Sequence, residues 1–244
     1  MIHDTLDITK YKNNPLFDYY NKDYEKYYPD LGIEGSKGKA DYVTSFINKK
    51  FTSVVDLGCG PGVFLKELVK DLKIPKAVGT DISMTVLQEA QKQNPTFDFY
   101  RADSEDLPFK DKAFDVSTII DVVEHVEHPD KLIEEAKRIS NHIIFKVPIE
   151  DCWFINTYRH FVKVDWRAMM GHVNFYSIKS FKKFAESHNL KLIKYIVPKQ
   201  KITPNLSWKM RLLNIGQIVT NILPEGLRVK IFPTEYYALY KVTT

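Results

Sequence analysis

Residues 54–62 read Val54-Val55-Asp56-Leu57-Gly58-Cys59-Gly60-Pro61-Gly62. Two β-branched residues lead into a carboxylate, and three glycines follow at alternate positions. Phe64, Leu65, Leu68 and Val69 then recur at helical spacing. This is the pattern of a strand that ends in a tight turn and opens a helix. Glycines without Cβ atoms let the backbone bend sharply and let a ligand lie against it. Such a turn builds a nucleotide-shaped site at the carboxyl ends of a doubly wound α/β sheet.

Three further strand patterns follow in order. Lys76–Ile82 ends in Asp81, about 25 residues after Asp56, the station at which a carboxylate accepts hydrogen bonds from ribose hydroxyls. Residues 97–102 form a strand that closes on the acidic loop Asp103-Ser104-Glu105-Asp106-Leu107-Pro108-Phe109. Residues 113–121 give a fourth strand, followed by Val122-Val123-Glu124-His125-Val126. Taken singly, Asp81 or Asp103 is equally well read as a strand-end turn or helix cap.

The ordered set Asp56-Leu57-Gly58-Cys59-Gly60-Pro61-Gly62, Asp81, Ala102–Phe109 and Phe114-Asp115-Val116 resembles the small-molecule branch of class I S-adenosylmethionine-dependent methyltransferases, over about residues 35–195. The resemblance implies a seven-stranded, mostly parallel sheet whose antiparallel last strand inserts between strands five and six. It also implies S-adenosyl-L-methionine as cofactor. Gly58, Gly60 and Gly62 then match the backbone that meets its methionine portion, and Asp56 organises their turn. Asp81 matches the ribose-binding carboxylate and Ile82 the apolar neighbour of adenine. Asp103, with Ser104 beside it, matches the residue that meets the adenine amino group. Asp121 stands where backbone reaches the donor's amino group.

The length of 244 residues suits a single domain, 1–244, with a sizeable core. Charge is modest at +4, so neither a nucleic acid nor an anionic surface is demanded. Basic residues form no concentrated tract, which ranks RNA below a small molecule. Two cysteines, Cys59 and Cys152, make no disulfide framework and suit a reduced, cytoplasmic setting. The start lacks a secretory pattern, and no uncharged run reaches bilayer length.

The spacing predicts strand one at 52–57, a helix at 61–71, and a helix capped by Ser83 and running to about 93. A further helix starts near Asp130 and runs through Ile139. Strand five is His142–Val147, stopped by Pro148. Ser177 caps a helix to about His188, Leu190–Val197 is strand six, and Glu235–Val242 closes the sheet. Residues 1–50 are expected to form a helical cover, with helices at 15–28 and 36–49. Six of the 14 tyrosines lie between Tyr11 and Tyr28, as an aromatic packing face or as a lid over the site. Insertions at 149–176 and 198–230 are expected to define the acceptor side.

Candidate catalytic groups are His125 and His172. His125 follows strand four at the mouth of the expected pocket, and near neutrality an imidazole serves as a general base or simply shapes the pocket. His172 lies in Gly171-His172-Val173-Asn174-Phe175-Tyr176-Ser177, similar to a His-x-x-x-Phe segment of related enzymes that helps close the acceptor pocket. The alternative is a loop anchor. Asp121-x-x-Glu124-His125 with His172 is similar to the layout by which some RNA 2′-O- and quinone-precursor methyltransferases hold a divalent ion. Asp stands where that layout has Glu, and no metal is assigned. Aromatic residues with Arg159, Lys163 and Arg167 in the first insertion suit a ring or sugar carrying an anion. The apolar face of 206–223 packs on the domain or on a second subunit, giving a homodimer, or touches lipid peripherally.

Together these readings give a methyltransferase acting on oxygen or nitrogen of a small-molecule acceptor, with a sugar, glycan end or secondary metabolite the loosest part. A nicotinamide-dependent oxidoreductase is the first rival, but Val63 occupies the last position of Gly-x-Gly-x-x-Gly. The second is a non-catalytic protein that keeps the cofactor site.

Overall fold

The computed structural model describes residues 1–11, 33–162, 171–199, 215 and 218–243. The expected helix at 15–28, Lys163, Trp166, Arg167 and most of 206–217 lie outside the described residues.

The strands are β1 Ile2–Asp4, β2 Ser53–Leu57, β3 Lys76–Asp81, β4 Asp98–Arg101, β5 Phe114–Ile120, β6 Ser140–Ile149, β7 Leu190–Ile196 and β8 Thr234–Val242. They form one sheet in the order β1-β4-β3-β2-β5-β6-β8-β7. The β1–β4, β4–β3, β3–β2, β2–β5 and β5–β6 pairs are parallel. β8 runs antiparallel to both neighbours and lies between β6 and β7, as the resemblance implies. The seven expected strands are therefore joined by one more, the short edge strand β1.

The helices are α1 Ile33–Phe46, α2 Val63–Leu72, α3 Met84–Gln93, α4 Pro129–Ile139, α5 Trp153–Val162, α6 Ile178–Ser187 and α7 Glu225–Ile231. Residues of alternate parity along each strand meet different helices. On one face Ala40, Val43 and Phe46 of α1 and Phe64, Leu65 and Leu68 of α2 pack over Val54, Val116, Ile144 and Tyr237. On the other, Leu132, Ile133 and Ala136 of α4 and Phe181 of α6 pack over Val55, Ile143, Phe145, Tyr236 and Tyr240. Helices on both faces bury the central strands twice, and β2, β5 and β6 are buried along most of their length.

The Ser83 and Ser177 caps form as expected. Ser83 Oγ accepts from Val86 N, and Ser177 makes a reciprocal pair with Ser180. Two boundaries differ: the helix expected at 36–49 spans Ile33–Phe46, with Ser36 inside it, and β6 runs past its expected end. β6 does not stop before Pro148 but continues to Ile149, paired with β8. The Lys146 carbonyl accepts from Asp121 N on the β5 side, and Pro148, two residues on, faces the same way. β5 has ended there, with Ile120 opposite Lys146. The missing N–H of proline therefore breaks no ladder bond.

Candidate functional site

The chain changes direction across the sheet between β2 and β5. To one side lie β3 and β4, and to the other β6. A crevice opens beyond the carboxyl ends of strands at such a switch point. The register puts Asp56 opposite both Gly79 of β3 and Thr118 of β5. The residues just after β2, β3, β4 and β5 therefore gather at one end of the sheet.

The turn after β2 takes its shape from glycine. Gly58, Gly60 and Gly62 have φ of 71°, 53° and 76°, values that L side chains adopt at a cost. A Cβ on Gly58 would stand 2.5 Å from Val122 Cγ2, and one on Gly62 would stand 2.9 Å from Asn94 Nδ2. Cys59 N donates to Thr80 O at 2.8 Å, tying the turn to β3. Gly62 then occupies the N-cap of α2.

Asp81 at the tip of β3 is locked to that turn. Its Oδ2 accepts from Gly60 N at 3.0 Å and its Oδ1 from Ser83 N at 2.9 Å. Burial raises its carboxyl above the usual range, and the backbone donors from Ser83 and Gly60 oppose the rise. Each oxygen accepts one backbone bond and keeps acceptor capacity for a ligand hydroxyl. Asp56 is buried and accepts the Thr118 hydroxyl at 2.5 Å. Burial pushes its carboxyl up to about 7. Ile82 is half-buried, and its carbonyl accepts from Arg101 Nε at 3.1 Å.

Asp103 lies in the loop after β4, closed by a bridge to Asp106. Its Oδ1 accepts from Glu105 N at 2.9 Å, and its Oδ2 accepts the Tyr11 hydroxyl. Ser104 is half-buried beside it. Lys10 Nζ meets Asp106 at 3.0 Å. Residues 5–11 thus lie over this loop and enclose a cleft of about 50 Å³ with Asp103 and Asp106.

Asp121 follows β5 with a left-handed φ of 55°. Its carboxylate is shared between Lys146 of β6 and Lys39 of α1, the latter at 2.7 Å. Burial works against its charge, but the two ammonium groups outweigh it and hold the carboxyl well below the usual range. Lys146 also meets Glu235 of β8 at 3.0 Å. Sequence reasoning placed Asp121 here but missed both lysines. A lysine inside the apolar run Ile143-Ile144-Phe145-Lys146-Val147 was the available signal, because a buried ammonium requires a carboxylate.

His125 and His172 meet although 47 positions separate them in the chain. Their ring centroids lie 4.7 Å apart, edge to face. His125 Nδ1 lies 3.1 Å from Gly171 O, and His172 Nδ1 lies 2.8 Å from Glu150 Oε2. Burial and the neighbouring His172 push His125 down to about 4, so it is neutral at neutral pH and a weak base. Glu124 is buried; burial, reinforced by Asp121, pushes its carboxyl well up. Glu124 Oε1 approaches His125 Nε2 to 3.9 Å. Asn174 Nδ2 donates to Val123 O and Val126 O at 3.1 and 2.7 Å. That contact, unforeseen from sequence, stitches the segment around His172 to the loop after β5.

A family model described as a methyltransferase domain matches residues 21–195. The chain belongs to that family. This methyltransferase-family chain is 36% identical over 124 residues to an uncharacterised protein, MJ1123, of Methanocaldococcus jannaschii, covering 51% of this chain and 55% of the other. It is 32% identical over 158 residues to the mitochondrial ubiquinone biosynthesis O-methyltransferase of Candida albicans, covering 57% and 46%. The chain spans about half the length of these relatives. Its fold matches geranyl diphosphate C-methyltransferase from Streptomyces coelicolor A3(2), solved with Mg2+, geranyl-S-thiolodiphosphate and S-adenosyl-L-homocysteine. There the TM-score is 0.62, at 12% identity over 84% of this chain and 76% of that one. A SAM-dependent methyltransferase from Thermotoga maritima gives 0.61, at 17% identity over 93% and 98%. The family and the fold are those of S-adenosylmethionine-dependent class I methyltransferases.

Proposed function

We propose that the protein transfers a methyl group from S-adenosyl-L-methionine to an oxygen or nitrogen of a small-molecule acceptor. The observation that carries this is the bond from Gly60 N to Asp81 at 3.0 Å. It couples a turn of left-handed glycines to a carboxylate at the neighbouring strand tip, so backbone and acid move as one unit. The donor fits this cradle. A Cβ at Gly58 or Gly62 would collide with Val122 or Asn94, so the turn keeps this shape with glycine there, and both Asp81 oxygens retain acceptor capacity. Bound there, the donor supplies a methyl group already activated by its sulfonium.

The chain's own residues hold and orient. In this reading Asp81 takes the ribose, Asp103 and Ser104 the adenine edge, and backbone near Asp56, Gly58, Gly60, Gly62 and Asp121 the methionine portion. In-line placement of the acceptor at about 3 to 3.5 Å supplies much of the rate in such transfers. His125 and His172 stand on the acceptor side. A neutral His125 suits an acceptor that arrives as a good nucleophile or is made one by another group. Residues 149–176 and 198–230 form the acceptor side, and 1–50 the cover, with Tyr11 on Asp103 its described anchor. Ile215, Val219 and Ile222 are exposed, which suits a partner or lipid contact for that face. Among the described residues no helix is long and apolar enough to cross a membrane.

Titration calorimetry with S-adenosylmethionine and its demethylated product tests the donor site. Asp81→Ala removes two charge-assisted hydrogen bonds, each worth about 1.5–3 kcal/mol, so affinity falls at least about 100-fold. Transfer of labelled methyl into a pool of small oxygen and nitrogen nucleophiles tests the reaction. An intact protein that binds neither donor nor product refutes the reading.

A further inference from the structure

We infer that the amino end of the sheet, opposite the candidate site, is a docking surface for an anionic lipid bilayer. The sequence has no concentrated basic tract, but the fold assembles one. Lys49 and Lys50 precede β2, Lys76 opens β3 and Lys112 precedes β5. Lys191 stands at the start of β7, and Lys241 near the end of the antiparallel β8. Strand pairing brings these positions to one end of the sheet. Ser53 lies opposite Lys76, Phe114 opposite Ser140, and Lys241 opposite both His142 and Lys191. Side chains tie the middle of the row together. Lys49 Nζ lies 2.9 Å from His142 Nε2, and Lys112 Nζ donates to Ser140 O at 2.9 Å. From β3 to β7 the order β3-β2-β5-β6-β8-β7 covers five strand spacings, about 24 Å.

All six lysines are exposed. None forms an ion pair among the described residues. The carboxylates at this end are taken elsewhere. Asp115 accepts from Thr52 N and Ser53 N at 2.7 and 3.2 Å. Asp111 pairs with Arg138 at 3.1 Å and Glu134 with Lys137 at 2.7 Å. Asp71 is offset by Lys73 two positions on, and Asp98, beyond β3, meets the amino group of Met1 at 3.5 Å.

The chemistry of the row selects its partner. Among the described residues of 47–52, 72–76, 110–114 and 188–191 no large apolar side chain is exposed, and Phe51, Ile74 and Phe114 are buried. The row therefore lacks the apolar centre of a protein–protein interface and the exposed rings on which single-stranded bases stack. A plane of anionic headgroups needs neither, because it attracts each nearby lysine by charge alone. The loop after β4 at the opposite end is acidic, with Asp103, Glu105 and Asp106. The same field therefore turns the site away from the bilayer and toward solution. Docking of this kind is independent of the methyl transfer proposed above.

The test is co-sedimentation of the full-length protein with vesicles of phosphatidylcholine, alone or with about 30% phosphatidylserine, at about 0.1 M salt. The protein is expected on the anionic vesicles and not on the neutral ones, and about 0.5 M salt releases it. Each lysine near such a surface raises the partition about fivefold, so Lys50→Gln, Lys191→Gln and Lys241→Gln together lower it about 100-fold. A matched variant carries Lys66→Gln, Lys131→Gln and Lys179→Gln, near the starts of α2, α4 and α6 at the site end. It has the same net charge and keeps the wild-type partition. If the first triple variant unfolds, Lys50→Gln alone carries the test, at about fivefold. Absence from anionic vesicles, binding that survives high salt, equal losses in the two triple variants, or displacement from the vesicles by single-stranded RNA overturns the assignment.

Discussion

Gly58→Ala isolates the feature on which the shape of the turn after β2 depends. The new Cβ would meet Val122 Cγ2 at 2.5 Å, and the backbone would keep a φ of +71°. Left-handed backbone costs an L residue about 1–2 kcal/mol. Forcing a methyl into a filled space costs about 1–3 kcal/mol more. The sum, about 2–5 kcal/mol, is a large fraction of the roughly 5–15 kcal/mol that holds a domain folded. With a urea slope of about 3 kcal/mol/M, the unfolding midpoint falls by roughly 1 M. The two parts separate in a Val122→Ala background. There the clash is relieved and only the backbone cost, about 1–2 kcal/mol, remains. The double-mutant cycle therefore shows a coupling of about 1–3 kcal/mol. Equal costs in both backgrounds refute the contact with Val122. A negligible cost in both refutes the left-handed turn itself.

Asp56 makes stability depend on pH. Its folded carboxyl sits at about 7 against 3.8 when unperturbed, so its contribution is complete below about pH 4 and is lost as pH rises to about 7. At about 1.36 kcal/mol per unit this amounts to about 4 kcal/mol. Asp56→Asn keeps an acceptor for Thr118 and loses less stability than wild type between pH 4.5 and 7.5 in urea unfolding; parallel losses would refute the assignment. Ser177→Ala removes the capping box at the start of α6. It should lower stability by about 1 kcal/mol in the same assay and leave donor affinity by calorimetry unchanged.

The strand ends were legible because Asp56, Asp81, Asp103 and Asp121 each lie at or just beyond the end of a strand pattern, although the order β4-β3-β2-β5 along the sheet is not the order of the chain. β1 was not legible, since three residues show no periodicity. Pro148 misled because its effect depends on where β5 stops, which residues around 148 do not encode. The meeting of His125 with His172 was hidden for a related reason. It requires Glu150 and Asn174 to fold the first insertion back onto the loop after β5, a tertiary closure with no local pattern. Lys146 was visible as an oddity, but its partners Asp121, just after β5, and Glu235 of β8 come from distant parts of the chain, as does Lys39 of α1, which shares Asp121 with it.

The place of β8 constrains how the protein is made. Until residues 234–242 leave the ribosome, β6 and β7 each present an open edge with nothing between them. Such edges invite pairing with other chains. Tyr236, Tyr237 and Tyr240, all fully enclosed in the finished sheet, arrive as the wedge that joins its two portions. Synthesis halted before residue 234 would release a molecule with an intact glycine turn and an adhesive gap.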